Sequence, residues 1–316
     1  MSAPARWPHS RMETIVKFIQ SLELARYPRT PHLQGSRLQD GDDASDQMPL
    51  ARLAGQRVVI EEKLDGGNCG LSFSEGGDLL LQSRGHYLVG GGSERQFNWL
   101  KPWAQAHAER LLARLEDRWV LYGEAMYAKH SVFYDRLPHL LLEFDLLERA
   151  SGKFLSTPRR KELLQGLPIV SVPVLYEGPM PTDPKQLKKL VYRSLAKSRQ
   201  WRERFERQVA REGLPLDLTW QQTNAQDESE GLYLKVENED FVEARFKWVR
   251  PGFTQTILDS GSHHLARPML PNLLADGVDL YAPTPTVDWE ALGLTTLSSI
   301  DALRGFDPKA FVEALP

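Results

Sequence analysis

The chain carries a series of short apolar runs that are bounded by glycine, acidic residues or turn signals. Runs this short are typical of buried strands, because helices need longer apolar patterns to cover a core. Helical patterns at 97–116 and 184–212 interrupt the series irregularly instead of following each run. This order predicts an α+β fold with largely antiparallel sheets, not a doubly wound parallel sheet. The predicted strands are 57–62, 69–73, 79–84, 119–124, 140–147, 231–236 and 241–249.

Charge and composition exclude some classes of protein without selecting a substrate. The net charge of −3 argues against a uniformly basic nucleic-acid coat, although a local basic groove is compatible with it. The single cysteine, Cys69, permits no intrachain disulfide, and we expect it to be buried in the core. Charged residues interrupt the first 21 residues, and no apolar run approaches the roughly 18 residues of a membrane span. We therefore expect a cytoplasmic protein without a membrane anchor. Apolar residues at near-helical spacing predict a helix at 11–26, and the Pro, Gly, Asp and Ser content predicts a loop over 27–50.

The run Glu62-Lys63-Leu64-Asp65-Gly66 carries the clearest chemical signal. A lysine amine has an ordinary pKa of about 10.4, so it becomes a nucleophile only when it is desolvated or placed beside cations or a metal. A strand end fixes the amine of Lys63, the two-residue period puts Asp65 on the same side, and Gly66 permits a turn. A surface turn explains the same four residues, so the hypothesis needs support from elsewhere in the chain.

Further short elements follow Lys63 in a characteristic order. With Lys63-Leu64-Asp65-Gly66 they resemble the motifs of the covalent nucleotidyltransferase superfamily, which contains ATP-dependent DNA ligases, RNA ligases and mRNA capping enzymes. The resemblance spans about residues 57–250 and implies an ATP-grasp-like adenylation domain of mostly antiparallel sheets with flanking helices. The elements are Ser83-Arg84, Tyr122-Gly123-Glu124, Phe144-Asp145, Glu230-Gly231-Leu232-Tyr233-Leu234-Lys235 and Arg245-Phe246-Lys247-Trp248.

The resemblance also implies a role for each element. Phe144 would stack on the purine, Glu124 would bind the ribose, and Glu61 or the backbone near it would read the adenine amine. The implied catalytic residues are Lys63, Asp65, Glu230 and Lys247. The implied ATP-binding residues are Glu61, Glu62, Lys63, Gly66, Asn68, Arg84, Glu124, Phe144, Glu230, Lys235, Arg245 and Lys247. The implied ligands for Mg²⁺ or Mn²⁺ are Asp65, Glu124 and Glu230.

Elementary chemistry supports these assignments. Nucleotidyl transfer depends mainly on positioning and on neutralising charge at the phosphate oxygens. Arg245 and Lys247 alternate along a predicted strand, so both should face the phosphates while Phe246 and Trp248 face the core. Carboxylate oxygens are the ligands that Mg²⁺ prefers, and a bound metal would lower the lysine pKa.

Residue 68 separates the branches of the superfamily. Capping enzymes and most DNA ligases carry arginine two positions after the motif glycine, whereas Asn68 resembles RNA ligases of the second phage type and their cellular relatives. Only 66 residues follow Arg250 (316 − 250), without the strand signals of an oligonucleotide-binding barrel. The interpretation is an ATP-dependent RNA ligase that forms lysyl-AMP and seals 5′-phosphate and 3′-hydroxyl ends, with an end-healing enzyme as a candidate partner. A DNA ligase, a capping-type guanylyltransferase and an RNA-binding module with a degenerate nucleotide pocket remain alternatives.

The predicted domain organisation departs from the short phage pattern. We expect an adenylation domain over 1–250, with a basic helical insertion at about 157–215, and a small, partly helical extension over 251–316. The helical pattern 184–212 has ten lysines or arginines against three glutamates, which suits either a nucleic-acid backbone or a solvated helix. Asp65 stands where several RNA ligases of that type carry histidine. Before the motifs, Arg29 or His32 would reach the phosphates, or their segment is simply loop.

Overall fold

The computed structural model describes Ile19 and residues 22–38, 47–253 and 269–315. Short 3₁₀ turns at Leu50–Leu53 and Gly92–Phe97 supplement the strands and helices of these ranges. The strands are β1 (Arg57–Lys63), β2 (Gly67–Phe73), β3 (Leu79–Ser83), β4 (Trp119–Ala125), β5 (Leu141–Glu148), β6 (Val170–Ser171), β7 (Val174–Pro179), β8 (Gly231–Glu237) and β9 (Val242–Val249). The helices are α1 (Leu100–Ala106), α2 (Ala108–Leu115), α3 (Thr157–Leu164), α4 (Pro184–Lys189), α5 (Trp201–Arg211), α6 (Leu216–Gln221), α7 (Ile300–Gly305) and α8 (Pro308–Ala314).

Two sheets organise the fold. The first has the strand order β7-β1-β8-β9 and is antiparallel throughout. The second has the order β3-β2-β4-β5-β6 and is antiparallel except for the β5–β6 pair. The prediction of an α+β protein with largely antiparallel sheets is therefore confirmed. The chain passes from the first sheet to the second through residues 64–66, so Lys63 lies where the two sheets meet.

Strand β1 is a central strand that is buried on both faces. Val58, Val59 and Ile60 are fully buried, and the two glutamates that follow them are buried as well. Burying a carboxylate is costly unless it is paired or protonated. Two adjacent buried glutamates directly before Lys63 therefore mark this end of the strand as more than a packing element.

The C-terminal residues pack on the core of the first sheet. Trp289, Leu292, Leu303 and Leu315 belong to the same apolar cluster as the buried residues of β1, β8 and β9. A second cluster lies under the other sheet, where α1 and α2 cover its strands. The core side of β9 is as predicted, because Phe246 and Trp248 are both buried.

Some predicted helices differ from the observed ones. The helix expected over 184–212 is two helices, α4 and α5, because the residues between them run through the interior and are largely buried. Residues 157–215 also contain two strands, β6 at the edge of the second sheet and β7 at the edge of the first. The segment is therefore not purely helical. The helix expected over 97–116 divides into α1 and α2 at His107.

Two further expectations concern the N-terminal segment and the membrane. Most of the helix predicted over 11–26 lies outside the described residues, and residues 22–26 are not helical. Within the part of the chain that the structure describes, every helix is too short or too polar to cross a bilayer.

Lys197 gives a prediction about stability. Its side chain is buried, Nζ donates to the carbonyl of Gln226 at 2.8 Å, and burial lowers the pKa of Lys197 to about 7. In the unfolded chain the pKa is about 10.4, so between these values the unfolded state binds more protons and folding stability rises with pH. From about pH 7 to about pH 9.5 we expect the wild type to gain more than about 1 kcal/mol of unfolding free energy relative to Lys197→Met. Urea unfolding of both proteins at the two pH values measures this, and equal gains would contradict it.

Candidate active site

A cavity of about 710 Å³ opens where the two sheets meet. Its lining includes residues 61–68, which end β1 and begin β2, together with Glu124 of the second sheet and Glu230 beside the first. Arg84 and Lys247 add positive charge, and Phe144 adds an aromatic face. The structure thus collects around one cavity many of the residues that the sequence singled out.

Lys63 lies at the end of β1 with its amine against a carboxylate. The β1–β8 register places Lys63 opposite Gly231, which brings the preceding residue, Glu230, alongside. The distance from Lys63 Nζ to Glu230 Oε2 is 2.7 Å, and the side chains are 26% and 1% exposed. Burial by itself lowers the pKa of Lys63, but Glu230 and Glu124 raise it, and the net shift is upward. The amine is therefore held protonated while both carboxylates are charged.

The two glutamates beside Lys63 have perturbed pKa values of their own. Burial raises the pKa of Glu124 to about 8 and that of Glu230 to about 7, and Lys63 opposes both shifts. Repulsion by Glu230 and Asp65 adds to the shift of Glu124, and repulsion by Asp65 adds to that of Glu230. Glu124 is anchored by the backbone N–H of Gly66, which donates to its Oε1 at 3.0 Å. A Cβ at Gly66 would lie 2.8 Å from the Ala125 carbonyl, so only glycine allows this close approach.

Asp65 faces the protein backbone. Its Oδ2 accepts the N–H groups of Ser131 and Val132 at 2.6 and 2.8 Å, and its own N–H donates to Tyr134 Oη at 2.9 Å. These bonds fix the turn that follows Lys63. Among the described residues, no three His, Cys, Asp or Glu side chains form a preassembled metal site. The two crowded carboxylates, Glu124 and Glu230, nevertheless supply the oxygen donors that Mg²⁺ or Mn²⁺ takes, and a cation between them would relieve their repulsion.

Aromatic rings line one end of the cavity. Phe144 packs edge-on against Tyr27, with ring centroids 5.2 Å apart, and lies 6.3 Å from Tyr233. Tyr27 donates to Asp145 Oδ2 at 2.5 Å, and Thr30 Oγ1 lies 3.0 Å from Tyr233 Oη. The ring of Phe144 thus lies among aromatic neighbours at this end, and an aromatic ring is a surface on which a purine stacks.

Charged residues lie fully buried behind the aromatic rings. Glu61 pairs with Arg160 at 2.6 Å and with Lys235 at 3.0 Å, and all three side chains are inaccessible. Glu62, on the opposite face of β1, accepts a longer bond from Leu195 N–H at 3.5 Å, and burial raises its pKa to about 7. Arg160 and Lys235 thus fix the position of Glu61, which lines the cavity.

Two of the cations expected to bind ATP, Lys235 and Arg245, are held elsewhere. Lys235 pairs with Glu61 and Asp145 and donates to the carbonyl of Phe144, so its charge is satisfied behind the cavity. Arg245 lies 3.3 Å from Asp145 and 3.7 Å above the Phe154 ring. Neither residue lines the cavity. Of the three predicted cations in β8 and β9, the one that does is Lys247. Asp145 explains why these two cations do not reach the cavity, because a buried carboxylate is stabilised by ion pairs with the nearest cations.

The N-terminal segment contributes residues that the sequence did not assign firmly. Tyr27, Arg29 and Thr30 line the cavity, whereas His32 is buried and bonds to Ser36. Gln82 and Tyr122 of the second sheet both donate to the carbonyl of Ala25, and Leu33 N–H donates to the carbonyl of Lys247 in the first. The segment therefore joins the two sheets across the cavity. No motif of the sequence marks Tyr27, so its place in the cavity was not predicted.

Many of the lysines and arginines in 184–212 make hydrogen bonds or ion pairs within the protein. Lys189, Arg193 and Arg199 donate to carbonyls of the C-terminal residues 304–313. Arg202 pairs with Asp227, and Arg204 with Asp135. Arg199 and Arg202 stay exposed while they make these contacts, and the other exposed cations of the segment are Lys185, Lys188, Arg207 and Arg211.

The chain is similar to known RNA ligases. The family model described as RNA ligase matches residues 56–249. Among solved structures, the Naegleria gruberi RNA ligase with PPi is 16% identical, with a TM-score of 0.45, 73% of this chain covered and 62% of that chain. A mutant of that ligase with ATP and Mn is 15% identical, with a TM-score of 0.44, 72% of this chain covered and 61% of that chain. The chain thus spans less than two thirds of the ligases it matches. No curated protein matches it.

Proposed function

The chain belongs to the RNA ligase family, and from that membership together with the site geometry we propose that it is an ATP-dependent RNA ligase acting through an adenylylated Lys63. The observation that carries the proposal is the amine of Lys63, which faces Glu230 at 2.7 Å in a cavity of about 710 Å³. A cavity of that size is in the range of small-molecule sites and takes a nucleotide.

In the first step Lys63 Nζ attacks the α-phosphorus of ATP. The new N–P bond forms as the bond to the bridging oxygen breaks, and pyrophosphate leaves with its electron pair. The amine must lose a proton before it attacks, and Glu230 is the acceptor that lies within hydrogen-bond distance.

The other cavity residues bind and orient the nucleotide. Phe144 stacks on the adenine, Glu61 and the backbone beside it face the base edge, and Glu124 binds the ribose. Lys247 and Arg84 neutralise phosphate oxygens. Glu124 and Glu230 would hold Mg²⁺ or Mn²⁺, which would supply positive charge to the phosphates and lower the pKa of Lys63. Asp65 holds the turn that follows Lys63.

The adenylylated lysine then activates an RNA end. AMP passes to a 5′-phosphate, which makes a pyrophosphate linkage and restores the free amine of Lys63. A 3′-hydroxyl attacks the activated phosphate, a phosphodiester bond forms and AMP leaves. The substrate is thus RNA with a 5′-phosphate and a 3′-hydroxyl, so a separate end-healing enzyme would supply such ends. The remaining parts of this proposal are a cytoplasmic location, an adenylation domain over 1–250 and a small extension over 251–316.

Labelling with radioactive nucleotide tests the proposal. The purified protein is incubated with Mg²⁺ and either [α-³²P]ATP or [α-³²P]GTP, and label that survives denaturation is measured. We expect label from ATP, none from GTP, and loss of label in Lys63→Ala. Label from GTP alone would support a capping-type guanylyltransferase, and no label after removal of any bound AMP with pyrophosphate would support a nucleotide-binding module. Sealing of matched RNA and DNA strands then separates an RNA ligase from a DNA ligase.

A further inference from the structure

Arg250, directly after β9, is buried although it carries a charge. Its side chain makes hydrogen bonds with all three guanidinium nitrogens. Nε donates to the carbonyl of Ser229 at 2.8 Å, and the other two donate to the side-chain oxygens of Asn224, at 3.0 Å, and Gln226. The guanidinium is therefore used entirely within the protein, in the loop of residues 224–230.

One set of contacts leads from Arg250 to Glu230. The backbone N–H of Arg250 donates to the carbonyl of Glu230 at 3.1 Å, while the guanidinium holds the preceding residue, Ser229. Both contacts fix the peptide that precedes β8. The carboxylate of Glu230 is in turn 2.7 Å from Lys63 Nζ.

A second set of contacts leads from Arg250 to the turn after Lys63. The guanidinium holds the side chain of Asn224, whose backbone N–H donates to the carbonyl of Ser131 at 2.6 Å. The N–H of Ser131 donates to Asp65 Oδ2 at 2.6 Å. One buried arginine thus supports both Glu230, which pairs with Lys63, and Asp65, which lies in the turn that follows Lys63.

We infer that Arg250 is a positioning residue, which holds the loop 224–230 so that Glu230 and Asp65 keep Lys63 in line for attack. The inference rests on the proposed function. The guanidinium presents donors in a fixed planar fork, whereas lysine presents a single point, so lysine cannot hold all three acceptors at once. Without the arginine, a carbonyl and two amide oxygens each lose a hydrogen bond, and we expect the loop to rearrange.

Single-turnover labelling with [α-³²P]ATP tests the role through two separate quantities. In Arg250→Ala we expect the rate constant at saturating ATP to fall by about tenfold or more, because a small misplacement of reacting groups costs this much. The amplitude, which counts folded active protein, and the ATP concentration for half-maximal rate should each change by less than about threefold. Arg250→Lys should lie between the wild type and Arg250→Ala, and methylguanidinium should restore the rate of Arg250→Ala.

Arg193→Ala is the matched control. Arg193 and Arg250 are equally buried, each 6% exposed, but the Arg193 side chain donates to the carbonyl of Val312, towards the C-terminal end. We expect its rate constant to equal that of the wild type. An unchanged rate constant in Arg250→Ala, or a loss confined to the amplitude, would overturn the inference. If Arg250→Ala does not fold, the rate constant of Arg250→Lys decides in the same way. The wild type is tested in the same experiment. If the proposed function is wrong, the wild type itself takes no label, which is a different result from a slow Arg250→Ala.

Discussion

A Lys63→Met variant is expected to lose covalent labelling from ATP and yet to seal an RNA whose 5′-phosphate already carries AMP. In the proposed mechanism Lys63 is the nucleophile in the first step only, whereas the pre-adenylylated RNA enters at the last step, in which the 3′-hydroxyl attacks. We expect labelling to fall by at least about 10³-fold, because no other group replaces a missing nucleophile efficiently. Sealing of the adenylylated RNA should fall by less than about tenfold. Gel assays of both reactions on the same preparation measure the two effects.

Lys101→Met is the control for removing a lysine from an ion pair. Lys101 Nζ lies 2.6 Å from Glu94 Oε2, close to the 2.7 Å between Lys63 and Glu230, but Lys101 is outside the cavity lining. This variant should label and seal as the wild type does. Equal loss of both reactions in Lys63→Met would contradict the assignment of Lys63 to the first step alone. Full labelling of this variant would show that Lys63 is not the nucleophile.

Gly231→Ala is expected to be the most destabilising single-methyl change beside the site. A Cβ at this position would lie 2.0 Å from the carbonyl oxygen of Trp248, far inside van der Waals contact. Gly231 pairs with Val249 on one side and with Lys63 on the other, so relief of the clash separates β8 from β9 and moves the site. We expect a loss of at least about 3 kcal/mol in unfolding free energy, at the upper end for overpacked positions. Urea unfolding followed by circular dichroism measures it.

Gly305→Ala tests whether that effect comes from the clash. Gly305 ends α7, and a Cβ there meets nothing within 4 Å. Alanine is a better helix former than glycine by about 1 kcal/mol, so this variant should be as stable as the wild type or slightly more stable. If Gly231→Ala were as stable as Gly305→Ala, the close approach of β8 to β9 would not hold in solution.

The strands and the position of Lys63 could be predicted because their signals are local. A buried strand needs a short apolar run, and glycine and acidic residues mark where it ends. Strand β1 ends at Lys63, and the runs at 119–124 and 231–236 lie within observed strands. Prediction was poorer for helices inside 157–215, because residues 190–197 are buried by tertiary packing that no helical period reveals.

The side-chain partners could not be read from neighbouring residues. Arg245 and Lys247 do lie on the face of β9 opposite the core, as the two-residue period predicts. Which of them reaches the cavity depends on Asp145, a residue of the other sheet, which pairs with Arg245. In the same way Arg160, from α3, holds Glu61 although 99 positions separate them.

The sequence by itself determined the strand-rich α+β fold, the position of Lys63 at the end of a strand, and the order of the acidic and basic elements that follow it. Local periodicity is enough for the strands, and the resemblance of the ordered motifs to a known superfamily supplied the proposed role of Lys63. Only the tertiary structure decided that Lys235 and Arg245 serve the buried ion network, that Tyr27 closes the aromatic end of the cavity, and that Arg250 supports Glu230. These roles depend on distances between residues far apart in the chain, and a charged side chain is bound by whichever opposite charge the fold brings nearest.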